Sequence, residues 1–151
     1  MNTETQPVVQ FFKTHESAQL PKFNICDPLT GDIGADIYSV AEQVIPAKGS
    51  AVVAVGLTVG YIEPGYYFNI SPRSGLGFKH QIQPHLGRID NQYRGDLGVL
   101  LYNFSDKDYQ VSIGDRIAQI EFHKLIQPKF EWTETIVESE RGSNGQGSSG
   151  K

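Results

Sequence analysis

Cysteine is almost missing from this chain of 151 residues, and the one that is present, Cys26, excludes an internal disulfide and any zinc site built from several thiolates. A lone thiol suits a reducing compartment and reads as a small buried apolar group. Charge is also sparse. Charged residues make up 20%, with 13 Lys+Arg against 17 Asp+Glu and a formal net charge of -4. The molecule as a whole should repel a nucleic-acid backbone, so no direct nucleic-acid binding is expected and an anionic ligand needs a local site. His15, His80, His85 and His123 show neither an HExxH motif nor paired spacing, which speaks against a histidine-bound metal. No run approaches the ~18 apolar residues of a membrane helix, and residues 1–6 lack the basic start and apolar stretch of a signal peptide. A cytoplasmic chain is expected, in the host cytoplasm if it is viral, without membrane contact. No repeat at a period of 20–50 residues points to a propeller or solenoid.

What is present is short apolar runs. Hydrophobic residues make up 38% and aromatics 11%, enough for one core; a chain of this length buries roughly 68–70% of its unfolded surface. Runs at 8–12, 51–55, 66–70, 98–102 and 117–122 are rich in β-branched and aromatic residues and of strand length. Turn signals lie between them: Pro46-Ala-Lys-Gly49, Glu63-Pro-Gly65, and a polar loop at 105–108 that reads as closing a hairpin. The class is all-β, a sandwich or a barrel. One short helix is expected at 74–79, with the Ser74 hydroxyl as its cap. From Arg141 onward no side chain is large enough to join a core, which on composition reads as a disordered tail.

Four segments could carry chemistry. Pro72-Arg-Ser-Gly75 follows a strand and opens the possible helix, where free backbone N–H groups suit an anion. Arg73 adds a bidentate guanidinium, Ser74 a hydroxyl, and Gly75 a close approach to the backbone. Residues 87–95, Gly-Arg-Ile-Asp-Asn-Gln-Tyr-Arg-Gly, set Asp90 and Tyr93 between two glycines, as a tight hairpin would; a carboxylate held so can deprotonate a water. Arg88 and Arg94 are either partners of Asp90 or solvated charges. In Gly34-Ala-Asp-Ile-Tyr-Ser39, strand alternation puts Asp36 and Tyr38 on one face, and Asp36 could hold the hydration shell of Mg2+. In Gly114-Asp-Arg-Ile-Ala-Gln119, Asp115 and Arg116 read as an ion pair and Gln119 as a donor to oxygen.

In this order the segments resemble the motif series of the homotrimeric dUTP pyrophosphatases, the dUTPases: residues 34–39, 71–75, 87–95, 114–119 and 141–150 match motifs one to five. The resemblance runs from about Asp32 to Lys151. It implies a jelly-roll-like β barrel over residues 1–140, a flexible C-terminal arm over 141–151 that closes over the site, and three active sites shared among three subunits. It implies hydrolysis of dUTP to dUMP and pyrophosphate with Mg2+ on the triphosphate, which keeps uracil out of DNA and supplies dUMP for thymidylate synthesis. Asp90 then activates the water that attacks the α-phosphorus, and Asp36 helps to hold the hydrated metal. Arg73, Ser74, Gly75 and Gln119 bind phosphate. Gly87 and Asn91 belong to the hairpin that reads uracil, with Tyr93 beneath the deoxyribose. Arg141 meets the terminal phosphate, with Gln146, Gly147, Ser148 and Ser149 completing the arm.

The pattern is broken at Gln146, where the family usually carries a Phe that stacks on uracil, and at Pro84, where several members have an Asn. The resemblance also leaves room for a second class, a dUTPase fold used as a regulatory or protein-binding module with dUTP as a switch. A third, a related deaminase acting on dCTP, is disfavoured by Ile89-Asp-Asn-Gln-Tyr93.

Overall fold

The computed structural model describes residues 5–145. Ten strands and one helix follow in the order β1 (Val9–Lys13), β2 (Gly34–Tyr38), β3 (Gln43–Ile45), β4 (Ser50–Ile62), β5 (Tyr66–Ser71), α1 (Ser74–His80), β6 (Ile82–Pro84), β7 (Gly87–Ile89), β8 (Asp96–Asn103), β9 (Tyr109–Val111) and β10 (Arg116–Lys124). Two four-stranded sheets, β1-β4-β8-β6 and β2-β10-β5-β7, face each other, and β3 pairs with β9 in a small third sheet. All pairings are antiparallel, giving the jelly-roll-like architecture that the resemblance implies.

Alternation builds the core. On β8, Leu97, Val99 and Leu101 point inward; on β5 and β10, Phe68, Ile70, Ala118 and Ile120 meet them from the opposite sheet. β4 is long and must bend. Gly56 sits at φ +70 where the β4–β8 register slips, and Gly60 is skipped where Gln10 pairs with Tyr61 and Phe11 with Val59. That extra residue moves the alternation by one, so that Ile62 enters the core and Tyr61 faces out.

Three local expectations change. The loop at 105–108 does not close a hairpin, because β8 pairs with β4 and β6 while β9 crosses to β3. Asn103 holds this crossing: its buried carboxamide donates to the Ile45 carbonyl at 2.9 Å and the Lys107 carbonyl at 2.8 Å, and accepts from the Ser105 N–H and hydroxyl. Residues 87–95 are likewise no sheet hairpin, since β7 belongs to one sheet and β8 to the other; the turn between them is a bridge. Finally, Ser74 is the first residue of α1, not its cap. The N-cap is Arg73, in extended conformation, and no side chain caps the helix.

After Lys124 the described chain, to residue 145, forms neither strand nor helix, and Ile126, Phe130, Trp132, Ile136 and Val137 along it are exposed. Among the described residues no helix is long and apolar enough to cross a membrane.

Asn103→Ala should destabilise the domain by about 1–3 kcal/mol, the usual cost of stripping buried polar groups of a partner. A shift of that size in the urea unfolding midpoint is the check; an unchanged midpoint would mean that water replaces the carboxamide.

Candidate functional site

β10 lies between β2 and β5, and its register brings three distant segments into one row: Gln119 pairs with Asp36 on one side and with Ser71 on the other. Because Ala35, Ile37, Ala118 and Ile120 are buried, alternation turns Asp36 and Gln119 to the outer face of the sheet. Beyond Ser71 the chain leaves β5, and Arg73 turns back over this row. Its Nε donates to Asp36 Oδ1 at 2.8 Å and its Nη1 to the Arg116 carbonyl at 3.4 Å. Arg116 reaches the second oxygen of Asp36 at 3.8 Å. The Gln119 side-chain nitrogen donates to the Pro72 carbonyl at 2.7 Å.

A cleft of about 420 Å³ opens over this cluster, with Asp36, Arg73, Ser74, Gly75, Arg116 and Gln119 among its walls. A Cβ at Gly34 would overlap the Gln119 carboxamide, so the glycine leaves that side chain its present place. Gly75 faces open space, which leaves its backbone accessible as expected. Two guanidinium groups thus converge on one carboxylate, while Asp32 and Glu121 also stand on the cleft walls.

Arg116 was read from the sequence as the partner of Asp115. The structure corrects this: Asp115 accepts the Ser112 N–H at 2.8 Å, while Arg116 turns to Asp36. The role of Arg116 was legible only through the β2–β10 register. Tyr109 was not anticipated either. Burial, and after it the Asp115 carboxylate, raise its phenol above the usual range, with Arg73 pulling the other way, so this hydroxyl stays protonated near neutrality.

The second cluster lies elsewhere. β7 runs antiparallel to β5, with Gly87 opposite Ile70 and Ile89 opposite Phe68, so Asp90 emerges at the Tyr67 end of β5. Arg73 and Ser74 follow the Ser71 end. Four residues of strand at about 3.3 Å each put roughly 13 Å between the two ends. Asp90 is exposed, and no hydrogen bond or ion pair of its carboxylate is recorded among the described residues. The turn after it is closed by the Tyr93 N–H on the Asp90 carbonyl at 3.0 Å and by Arg94, which donates to the carbonyls of Asn91 and Tyr93 at 2.7 and 2.8 Å. Neither Arg88 nor Arg94 pairs with Asp90.

Asn91, expected to touch the nucleotide, has its carboxamide turned inward, where it donates to the carbonyls of Ile62, Glu63 and Tyr66. Tyr93 donates its hydroxyl to the Asp96 carbonyl at 2.6 Å and lies across Gly95, where a Cβ would come within 2.6 Å of the ring carbon bearing the hydroxyl. Pro84 is buried within β6 opposite Leu101, so it offers nothing to a ligand.

Arg141 stays within its own turn, donating to the Asn144 carbonyl at 2.6 Å, and has no recorded bond to either cluster among the described residues. Gln146, Gly147, Ser148 and Ser149 lie outside the described residues. For a divalent ion, no group of three or more His, Cys, Asp or Glu side chains forms a cage among the described residues. The cleft instead offers the carboxylate of Asp36, already hydrogen-bonded, with those of Asp32 and Glu121 also on its walls. That fits Mg2+ arriving on a polyphosphate and held through its own waters, since Mg2+ binds through few carboxylates plus substrate phosphates.

The geometry at Gly95 carries a stability prediction. Tyr93→Phe should cost about 0.5–1.5 kcal/mol, the worth of one ordinary hydrogen bond, but close to nothing in a Gly95→Ala background, where the added methyl has already displaced the ring. Chemical denaturation of the four proteins measures the coupling, and additive effects would mean that Tyr93 keeps its place.

Two separated clusters, one of arginines and hydrogen-bond donors around a carboxylate and one presenting a free carboxylate, can be set beside known proteins. Residues 23–150 match the sequence profile of the family described as dUTPase. The chain is 37% identical to the deoxyuridine 5′-triphosphate nucleotidohydrolase of Solanum lycopersicum, over 98% of this chain and 93% of that protein. It is 38% identical to that of Helicobacter pylori strain J99, over 94% and 96%. Among solved structures it resembles the dUTPase of Staphylococcus bacteriophage 80alpha with dUPNHPP, at a TM-score of 0.81 and 26% identity, covering 95% of this chain and 99% of that one. With profile, relatives and architecture in agreement from the first motif to the last, this chain belongs to the dUTPase family, the deoxyuridine 5′-triphosphate nucleotidohydrolases.

Proposed function

We propose that the protein hydrolyses dUTP to dUMP and pyrophosphate with Mg2+, through a water that Asp90 deprotonates for attack on the α-phosphorus. The observation that carries this reading is the cleft in which strand register joins Asp36, Arg73 and Gln119, together with an Asp90 carboxylate that has no partner among the described residues. Arg73, Ser74, Gly75 and Gln119 hold phosphate oxygens, with Arg116 as an additional cation on the same wall. Mg2+, when bound, supplies charge neutralisation on the triphosphate, and Asp36 is the residue that would hold its water shell.

Asp90 is suited to the base role by exposure and by its fixed backbone. General-base catalysis is worth about 10²–10⁴ in rate, provided that the carboxylate comes within hydrogen-bond reach of the water. Within one chain it does not reach the phosphate cleft, which supports a homotrimer in which one subunit supplies the cleft and another the 90–93 turn. The exposed apolar side chains at 126–137 fit the same view, because a second copy would cover them.

Backbone groups of the turn would read uracil, with Gly87 at its entry and Tyr93 under the sugar. The Asn91 side chain is already engaged, so any contact from that residue comes from its backbone. Arg141 would meet the terminal phosphate, and Gln146, Gly147, Ser148 and Ser149 would complete the closing arm. Hydrolysis of this kind keeps uracil out of DNA and provides dUMP for thymidylate synthesis. The cytoplasm, of the host if the chain is viral, is where this substrate would be met.

Release of pyrophosphate from dUTP by the purified protein with Mg2+ tests the activity, and complementation tests the shared site. Asp90→Asn and Arg73→Ala should each lose most turnover as separate homotrimers. Subunits unfolded together and reassembled should regain part of it, since some mixed sites would combine an intact cleft with an intact Asp90. If mixing restores nothing while mixed trimers form, cleft and base belong to one subunit.

Gln146→Phe should lower the Michaelis constant by something like five- to two-hundred-fold, because an aromatic stacked on a base is worth roughly 1–3 kcal/mol. An unchanged constant would mean that another group already covers the uracil.

A further inference from the structure

We infer that Asn91 is a positioning residue for Asp90, an inference that rests on Asp90 acting as the base proposed above. Asn91 follows Asp90 directly in the turn between β7 and β8. Its side-chain nitrogen lies 2.9 Å from the Glu63 carbonyl, 2.9 Å from the Tyr66 carbonyl and 3.3 Å from the Ile62 carbonyl. A carboxamide has two N–H donors, so the third acceptor shares a proton and the side-chain nitrogen is fully committed to backbone oxygens. No other side chain ties the Asp90 turn to the β4–β5 turn among the recorded hydrogen bonds of the described residues.

The β4–β5 turn is a fixed platform for such an anchor. The Glu63 N–H donates to the Val8 carbonyl at 2.9 Å, tying the turn to the N-terminal strand region, and the Gly65 carbonyl accepts the Leu125 N–H at 2.8 Å, tying it to the exit from β10. Gly65, at φ +92, allows the backbone to present these carbonyls around one point. On the other side of the turn, Arg94 holds the carbonyls of Asn91 and Tyr93. The backbone on the C-terminal side of Asp90 is therefore fastened from both faces, while the carboxylate itself is left without a recorded protein partner. That division suits a base: the chain is immobile and the proton acceptor is free for water. An Asn that touched nucleotide would present its amide outward, and this one does not.

Steady-state kinetics with dUTP and Mg2+ on Asn91→Ala, Asn91→Ser and Asp90→Asn, and on Asn91→Ala combined with Asp90→Asn, test the assignment. A misplaced base should lower kcat about 100-fold, with KM moving by no more than about threefold. Asn91→Ser, which keeps one donor, should recover part of the loss. With Asp90→Asn already in place, replacing Asn91 should change the residual turnover little, because the group it positions is gone. A raised KM at unchanged kcat would overturn the inference in favour of direct substrate contact. Equal fold losses with and without Asp90, or failure of both Asn91 variants to fold, would overturn it in favour of a purely structural role. Wild-type protein that releases no pyrophosphate, or Asp90→Asn with full turnover, would instead remove the proposed reaction, and the inference with it.

Discussion

The antiparallel pairing of β10 with β2 on one side and β5 on the other is the constraint on which the site depends. Asp36, Ser71 and Gln119 come from segments far apart in the chain and become neighbours only because β10 is the central strand between them. The apolar alternation of Ala35, Ile37, Ile70, Ala118 and Ile120 locks that register, since a slip of one residue would turn the buried set outward and the polar row inward. The hydrophobic core therefore fixes the geometry of a polar surface that it never touches.

On that surface the Asp36–Arg73 pair returns little net stability. Its side chains are only 13% and 23% exposed, and desolvating two charges cancels much of what their attraction returns. What the pair does supply is a guanidinium held in one place beside a second one from Arg116, before any ligand arrives. A chain with a net charge of -4 can thus set two guanidinium groups side by side, even though Asp32, Asp36 and Glu121 share the same cleft walls.

Much of this was legible in the sequence, and what was not has a physical reason. The strand runs at 66–70, 98–102 and 117–122 fall within β5, β8 and β10, since period-two patterning and β-branched residues report local burial. The motifs around Asp36, Arg73 and Gln119 meet in one cleft. Pairing partners were less accessible. The polar loop at 105–108 has the composition of a hairpin turn, yet Asn103 redirects it to β3 by bonds to Ile45 and Lys107 that no local pattern announces. The role of Arg116 likewise depends on a neighbour eighty positions earlier in sequence, not on adjacent Asp115. The capping role expected of Ser74 failed because the extended conformation of Arg73 begins the helix one residue sooner.

The two clusters are held by different means. The cleft at Asp36 sits on paired strands, where backbone ladders supply rigidity and a Gly at position 34 makes room for the Gln119 carboxamide. The Asp90 turn bridges two sheets and has no ladder of its own, so its rigidity comes from side chains: Asn91 and Arg94 on backbone carbonyls, and the Tyr93 hydroxyl on Asp96. A turn fastened in this way can project from the domain and still hold its shape. In the proposed trimer, projection would let a carboxylate from one copy enter a cleft on another, and a fixed shape would let it arrive already oriented toward water. Under that proposal, the separation of the clusters within a single chain follows from building the reaction centre at a contact between copies, where neither part has to distort the core that positions it.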